Sequence, residues 1–445
     1  MLKSTFIQKQ LTPNWINAVL FGIALFLSLN ISWSKDDWKD LTDPYDYLQQ
    51  SKMSLFDKEF YFPHQTANFN PRPFTVPLFY KICGSNTDVI VPMQRLMLLL
   101  SAFFMVAAFM LFMEKSSAKY LLMISIYLLV SWWNVMGWAN LILSEALSTA
   151  LLFCWLASLL LLYKKDSGPW WSMHAFITIL FSFTRDSWPY VLVSFYGGIC
   201  ILWFVFKQPG LKKYVALLVL SICMFFAQQA GTKVGLRYKL PVINSIVVRV
   251  LPSDNYTHCF SEQGMPCVEK LKQNFGGIDV VPEAGQHKLW ALYTDSAYQP
   301  FLNWVVEKGQ PVYTRFLLTH PDYVLLLHET PAQRSRIMSH DLFYIDEPGG
   351  YTEYIQTLFP LFNIGVVIVL CIMLIMIYTQ RKTPILFAPV LLALFTLLNA
   401  ILSYNADALE VERHLFITNI LVQLTGFWAV ALIWDSVVWR RDVRN

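Results

Sequence analysis

The chain is built around apolar segments close to 20 residues long. That is the length an α-helix needs to cross a hydrocarbon layer about 30 Å thick at 1.5 Å per residue. Ten segments meet or approach it: 15–33, 93–113, 120–134, 139–163, 170–184, 188–206, 213–231, 358–379, 384–402 and 413–435. Charged residues make up only 14% of the chain, against about 25% in soluble domains, which excludes a disordered chain and a soluble multidomain enzyme. The expected fold is an all-α polytopic membrane protein with about ten transmembrane helices. A net charge of +4 is too small to point to nucleic acid, so no such partner is expected.

The placement of Lys and Arg orients the chain. With the N-terminus in the cytoplasm, the inner loops hold Lys3, Lys9, Lys115, Lys119, Lys164, Lys165, Lys207, Lys212, Lys213, Arg381, Lys382, Arg440, Arg441 and Arg444. The short outer connections keep Arg185 and, at a helix mouth, Arg413. Basic residues accumulate on the cytoplasmic side, so both termini are expected there. The layout is then 1–231 with the first seven helices, including an outer loop at 34–92, an outer domain at 232–357, and 358–445 with the last three helices. Apolar faces such as Phe301-Leu302-Asn303-Trp304-Val305-Val306 give the 232–357 loop helical content. Cys259 and Cys267 both fall in it, and a disulfide between them is left open as a local staple.

Ionisable residues gather at the outer ends of separate helices, where proximity to lipid makes them expensive without partners. Asp43 and Asp46 lie in Thr42-Asp43-Pro44-Tyr45-Asp46-Tyr47, where Thr42 or Asp43 can cap a helix starting at Pro44. Arg72 stands between Pro71 and Pro73, on a stiff backbone suited to presenting a guanidinium to a phosphate. Ser144-Glu145 marks the mouth of the fourth span. Arg185-Asp186 joins the fifth and sixth spans, and a mutual or capping pair is the plain reading there. Asp407, Glu410 and His414 fall three and four residues apart, on one face at the start of the last span, next to Arg413. The economical account is one outward polar cavity lined by carboxylates and arginines.

Such a cavity suits a reaction between a lipid phosphate and a hydroxyl. A carboxylate takes the proton of the attacking hydroxyl, and arginines or a divalent cation stabilise the departing phosphate. The acids permit Mg or Mn, although no ligand spacing demands a metal. Asp43 with Tyr47, Arg72-Pro73, Ser144-Glu145 and Arg413-His414, in that order along the chain, together resemble the GT-C superfamily of polytopic membrane glycosyltransferases. That superfamily includes the protein mannosyltransferases and lipid A aminoarabinose transferases. The stretches 244–252, 264–266 and 316–321 resemble uncharacterised bacterial members. The resemblance implies transfer of a sugar from a polyprenyl-phosphate donor to a saccharide, lipid or protein acceptor, with inversion. It places the reaction on the periplasmic side of a bacterial inner membrane. Asp43 would be the general base with Asp46 beside it. Arg72, Arg185 and Arg413 would bind the donor phosphate, and Tyr47, Glu145, Asp407, Glu410 and His414 would position substrate or metal. Asp36, Asp37 and Asp40 crowd the first motif. The alternative is a transporter or flippase of a lipid-linked or anionic substrate, which the one-sided clustering and the lack of an internal repeat disfavour.

Overall fold

The computed structural model describes residues 2–29, 42–66, 69–165, 167–205, 207, 210–276, 289, 291–325, 364–381, 384–406 and 411–442. The first half of the chain forms α1 (Leu2–Leu29), α2 (Thr42–Lys52), α3 (Thr75–Ile82), α4 (Thr87–Met110), α5 (Ser116–Ser131), α6 (Glu145–Lys165), α7 (Gly168–Ser182), α8 (Trp188–Val205) and α9 (Leu211–Val234). There follow α10 (Lys239–Ser245), α11 (Asp254–Ser261), α12 (Val268–Phe275), α13 (Gln299–Trp304) and α14 (Gln310–Thr319), and then α15 (Ile364–Arg381), α16 (Ala388–Ala406) and α17 (Val411–Asp442). Among the described residues there is no strand, only an isolated bridge between Thr66 and Phe69.

Among the described residues, six helices are long and apolar enough to cross a membrane: α4, α6, α8, α9, Ile385–Ala406 and Leu415–Ser436. The described residues of the other four expected segments lie mostly on helices, with shorter apolar stretches at Trp15–Ser28, Ser116–Ser131 and Gly365–Thr379 and a 15-residue helix at Gly168–Ser182. The core between the spans is rich in rings. Phe395 of α16 stacks on Trp155 of α6 at 5.4 Å and on Trp188 of α8 at 5.9 Å. Such offset ring pairs add to the burial of large apolar surfaces.

The structure departs from the sequence expectation at two helix starts. Helix α6 does not begin near 139 but at Glu145, after a 3-10 turn at Gly137–Asn140 and an extended Leu141. Gln94 donates to the carbonyls of Ala139 (3.2 Å) and Leu141 (2.9 Å), and the Tyr80 hydroxyl donates to that of Leu143 at 2.8 Å. These donors replace the bonds a helix would make, so irregular backbone survives next to the spans because protein covers it. In α2, Thr42 and Asp43 lie inside the first helical turn, not ahead of it.

The spans run between two distinct ends. At one end Lys164 donates to the Leu111 carbonyl, the Lys115 N–H donates to Asp435 at 2.7 Å, and Trp434 donates to Ser117 at 3.1 Å. The basic residues named here sit at this lysine end. At the other end, the Thr75 N–H donates to the Phe183 carbonyl at 3.2 Å, and Trp188 donates to Ser148 at 2.8 Å. The region after α9 builds a second core of its own, centred on Ile243, Val247, Phe260, Leu271, Phe301 and Phe316. It is fastened to α16. Arg249 lies 3.7 Å from the centroid of the Tyr404 ring and donates to the Tyr404 carbonyl, while the Tyr313 hydroxyl donates to that of Asn405 at 2.9 Å. Cys259 and Cys267 do not bridge. Cys259 on α11 faces His320 at 3.6 Å, whereas Cys267, with a positive φ of 60°, caps α12 and faces the Ala297 carbonyl.

The close approach of Gly235 to the Arg72 segment is testable. A Cβ at Gly235 would lie 3.0 Å from Pro71 Cβ and 3.1 Å from the Pro63 carbonyl oxygen, whereas one at Gly22 would meet nothing within 4 Å. Gly235→Ala should lower stability by about 1–3 kcal/mol, as overpacking does. Gly22→Ala should leave the melting temperature of the detergent-purified protein unchanged or slightly higher. Equal behaviour of the two variants would contradict the packing.

Candidate functional site

Helix α2 puts Asp43, Asp46, Tyr47 and Gln50 on one face by their spacing of three and four. Opposite this face runs Asn70-Pro71-Arg72-Pro73. Its prolines stiffen the backbone, and its peptide groups are matched one by one. The Asn70 N–H donates to Asp46 Oδ1 at 2.9 Å, the Arg72 N–H to Gln50 Oε1 at 3.0 Å, and Gln50 Nε2 returns a bond to the Arg72 carbonyl at 3.0 Å. The guanidinium is therefore held from both ends. Arg72 Nη2 donates to Asp46 Oδ2 at 2.9 Å and also to Asp43, and its Cζ lies 5.3 Å from the centroid of the Tyr47 ring. Its Nε is buried and, among the described residues, has no hydrogen-bond partner.

The fourth-span motif enters from the other side of Tyr47. Ser144 and Glu145 both lie close enough to Tyr47 to act on its phenol, and Ser144 Oγ donates to Glu145 Oε2 at 3.4 Å. Glu145 is fully buried, at 0% exposure, and faces Arg185 Nη2 at 3.7 Å. Arg185 reaches this place because Phe74 and Phe183 pack at 4.8 Å and Thr75 bonds to Phe183, laying residues 72–75 beside 183–185. Asp186 turns the opposite way. It accepts from Arg237 Nη2 at 2.9 Å and Nε at 3.1 Å, from Thr232 at 3.1 Å and from Gln228. Gly235, two residues before Arg237, rests against Pro71. The contacts thus close a circuit from Arg72 through Tyr47, Ser144, Glu145, Arg185, Asp186 and Arg237 back to Pro71.

Burial and charge compete within this circuit. Burial raises the Asp46 carboxyl above its ordinary value and outweighs the opposing pull of Arg72 and the Asn70 N–H. Burial likewise raises the Tyr47 phenol, with Arg72 opposing and Glu145 and Asp43 adding to the rise. For Arg72 the balance is reversed. Burial works against its charge, but Asp43, Tyr47 and Asp46 together outweigh it and raise the guanidinium above its ordinary value. An ion pair alone would lower Asp46, so its rise identifies desolvation as the larger effect.

Six of the residues singled out from the sequence therefore converge: Asp43, Asp46, Tyr47, Arg72, Glu145 and Arg185. Asp407 and Glu410, like Asp36, Asp37 and Asp40, lie outside the described residues, and the side chains of Arg413 and His414 are likewise not described. The expected mutual pair of Arg185 and Asp186 is corrected: consecutive side chains point to different partners, Glu145 and Arg237. Arg237, Gln50, Tyr80 and Gln94 escaped the sequence reading. Only Gln50 left a trace there, as the next residue along the Asp43–Asp46–Tyr47 face. The expectation that ionisable groups keep to the helix ends also overlooked His174. It is fully buried within α7, against Ser158 Oγ at 2.7 Å and Tyr196 Oη at 2.6 Å, a satisfied pin between helices. Among the described residues, no group of three or more His, Cys, Asp or Glu side chains is arranged to hold a metal ion.

No known protein family, curated protein or solved structure matches the chain. The fold and its apolar helices define a helical, multi-pass type of membrane protein, with a charged cluster gathered at one end of the spans.

Two outcomes follow from the electrostatics. An acid whose value rises on folding favours the fold while protonated. That contribution is complete below the ordinary value of 3.8 and is lost as pH rises through the folded value. Asp46→Asn stays neutral throughout, so its melting temperature should gain on wild type as pH rises from below 3.8 towards neutrality; a flat difference would contradict this balance. Arg185→Met removes the cation facing the buried Glu145 and should cost about 3–5 kcal/mol. Adding Glu145→Gln should restore part of that loss in denaturation of the purified protein.

Proposed function

We propose that the chain is a membrane glycosyltransferase. It would move a sugar from a polyprenyl-phosphate donor to an acceptor hydroxyl at the Asp43 end of the spans, facing away from the cytoplasm. The observation that carries this reading is the shared placement of Arg72 against Asp43 and Asp46, with Glu145 and Arg185 joined to it through Tyr47 and Ser144. A carboxylate base and an anion-binding guanidinium are the two groups that such a transfer needs.

On this reading the donor phosphate competes with Asp43 for Arg72. Its arrival takes the guanidinium's hydrogen bonds and frees the Asp43 carboxylate to accept a proton. The acceptor oxygen attacks the anomeric carbon, its proton passes to Asp43, and the bond from that carbon to the phosphate oxygen breaks. The configuration inverts, and the leaving polyprenyl phosphate carries the negative charge that Arg72 and Arg185 stabilise. Asp46, with its raised affinity for a proton, is the weaker partner of Arg72 and holds the Asn70 peptide in place. A divalent cation such as Mg or Mn, if the reaction uses one, would supply further charge for the departing phosphate.

The groups gathered around Arg72 occupy one end of the spans, and the deeper His174 is already bonded to Ser158 and Tyr196. This favours one-sided chemistry over a through-going transport path. Asp43→Asn should abolish sugar transfer from a polyprenyl-phosphate donor in reconstituted vesicles, with membrane insertion intact. Arg72→Ala should weaken donor use far more than acceptor use. Wild-type turnover in Asp43→Asn, or equal loss for both substrates in Arg72→Ala, would overturn the assignment.

A further inference from the structure

A hollow lies towards the lysine end of the spans. Helix α6 carries Glu145 at its first residue and Lys164-Lys165 at its last two, so the two regions are separated by about 30 Å at 1.5 Å per residue. The hollow opens between α6, α8 and α9 on one side and α15, α16 and α17 on the other. Its inner walls include Leu160, Leu392 and Trp428, all nearly fully buried. The only polar atoms its lining side chains bring are tyrosine hydroxyls and indole nitrogens. A cleft lined this way takes hydrocarbon, and water would find few partners in it.

Its rim has a different chemistry. Tyr163, Trp203 and Tyr214 line it and touch in series, Tyr163 to Trp203 at 6.2 Å between centroids and Trp203 to Tyr214 at 4.8 Å. The series extends to Phe112, 6.0 Å from Tyr163. Ammonium groups lie over both ends of this row: Lys164 Nζ is 5.2 Å from the Phe112 ring and Lys213 Nζ is 5.4 Å from the Tyr214 ring. Lys165 sits over Trp170 nearby, at 5.1 Å. At this end Asp435 accepts from the backbone N–H groups of Lys115 and Glu114. Glu114 itself is exposed. An apolar cleft between helices, crossed at its mouth by aromatic rings and flanked by lysines, is complementary to a lipid with a negative headgroup.

We propose that this cleft binds an anionic phospholipid, with one acyl chain between the helices and its headgroup at the lysine-flanked mouth. The site is independent of the sugar-transfer reading, since it shares no residue with the Arg72 circuit. Its function would be to hold α6, α8 and α9 against α15, α16 and α17 where protein contacts leave a gap.

The test uses the full chain in phosphatidylethanolamine bilayers containing phosphatidylglycerol with a photoactivatable acyl chain, and maps the adducts by mass spectrometry. Adducts on cleft residues that unlabelled phosphatidylglycerol suppresses, and phosphatidylethanolamine does not, support the site. Leu392→Trp, which fills the cleft, should reduce them several-fold. Because that core substitution risks the fold, Lys164→Gln with Lys213→Gln provides the second variant. It should lower labelling by the phosphatidylglycerol probe several-fold and leave labelling by a phosphatidylethanolamine probe unchanged. Adducts absent from the cleft, or equal labelling by both probes, would overturn the proposal. So would displacement of the probe by polyprenyl phosphate but not by phosphatidylglycerol, which would assign the cleft to a prenyl tail.

Discussion

A charged group close to hydrocarbon has to be neutralised by protein, and the site end of this molecule is organised by that requirement. The buried charge of Arg72 is neutralised by the carboxylates of α2, and Asp46 is in turn held in place by a peptide group of the 70–73 segment. The partnership is reciprocal: removing either side leaves the other buried and unmatched, which is far worse than the weak net gain of forming the pair. From this contact the restraint spreads outward through Tyr47 to Ser144 and Glu145, and through Pro71 to Gly235 and the Arg237–Asp186 pair. Four otherwise separate helix ends are thereby fixed to one another.

The same requirement applies to uncharged groups. The non-helical stretch before α6 exposes carbonyls that lipid could not satisfy, and Gln94 and Tyr80 take them up from α3 and α4. Starting α6 late has a consequence for the site. Glu145 becomes the first residue of the helix, where the free N–H groups favour a negative charge, and it faces Arg185 there. The second core, after α9, is attached to the same end of the bundle through Arg249 and Tyr313 on α16. An acceptor-binding role for that domain would need such an attachment.

The lysine end is different in kind. Its charges lie over aromatic rings and not in buried ion pairs, as expected where side chains reach water and lipid headgroups. The apolar cleft beneath them has no counterpart among the charged contacts around Arg72. The protein therefore presents two chemically distinct ends along one set of helices.

Much of this was legible in the residues alone, because the relevant information is local. Span length follows from runs of apolar residues, and the helices of the described part of the 232–357 loop follow from its periodic apolar faces. The concentration of carboxylates and arginines at a few positions can also be read directly, and Asp43, Asp46 and Tyr47 share a face by their spacing in α2. What stayed hidden depends on which faces touch. Arg185 and Asp186 are neighbours in the chain, yet one meets Glu145 and the other Arg237, 51 residues further on. Cys259 and Cys267 are close in sequence but face different partners, and the first turn and a half expected of α6 gave way to side-chain donors from elsewhere. Hydrophobicity and helix propensity set what each segment becomes, because they act within a few residues. The pairing of a buried charge is decided only when segments far apart are packed together, since only packing removes the water that would otherwise serve every charge equally well.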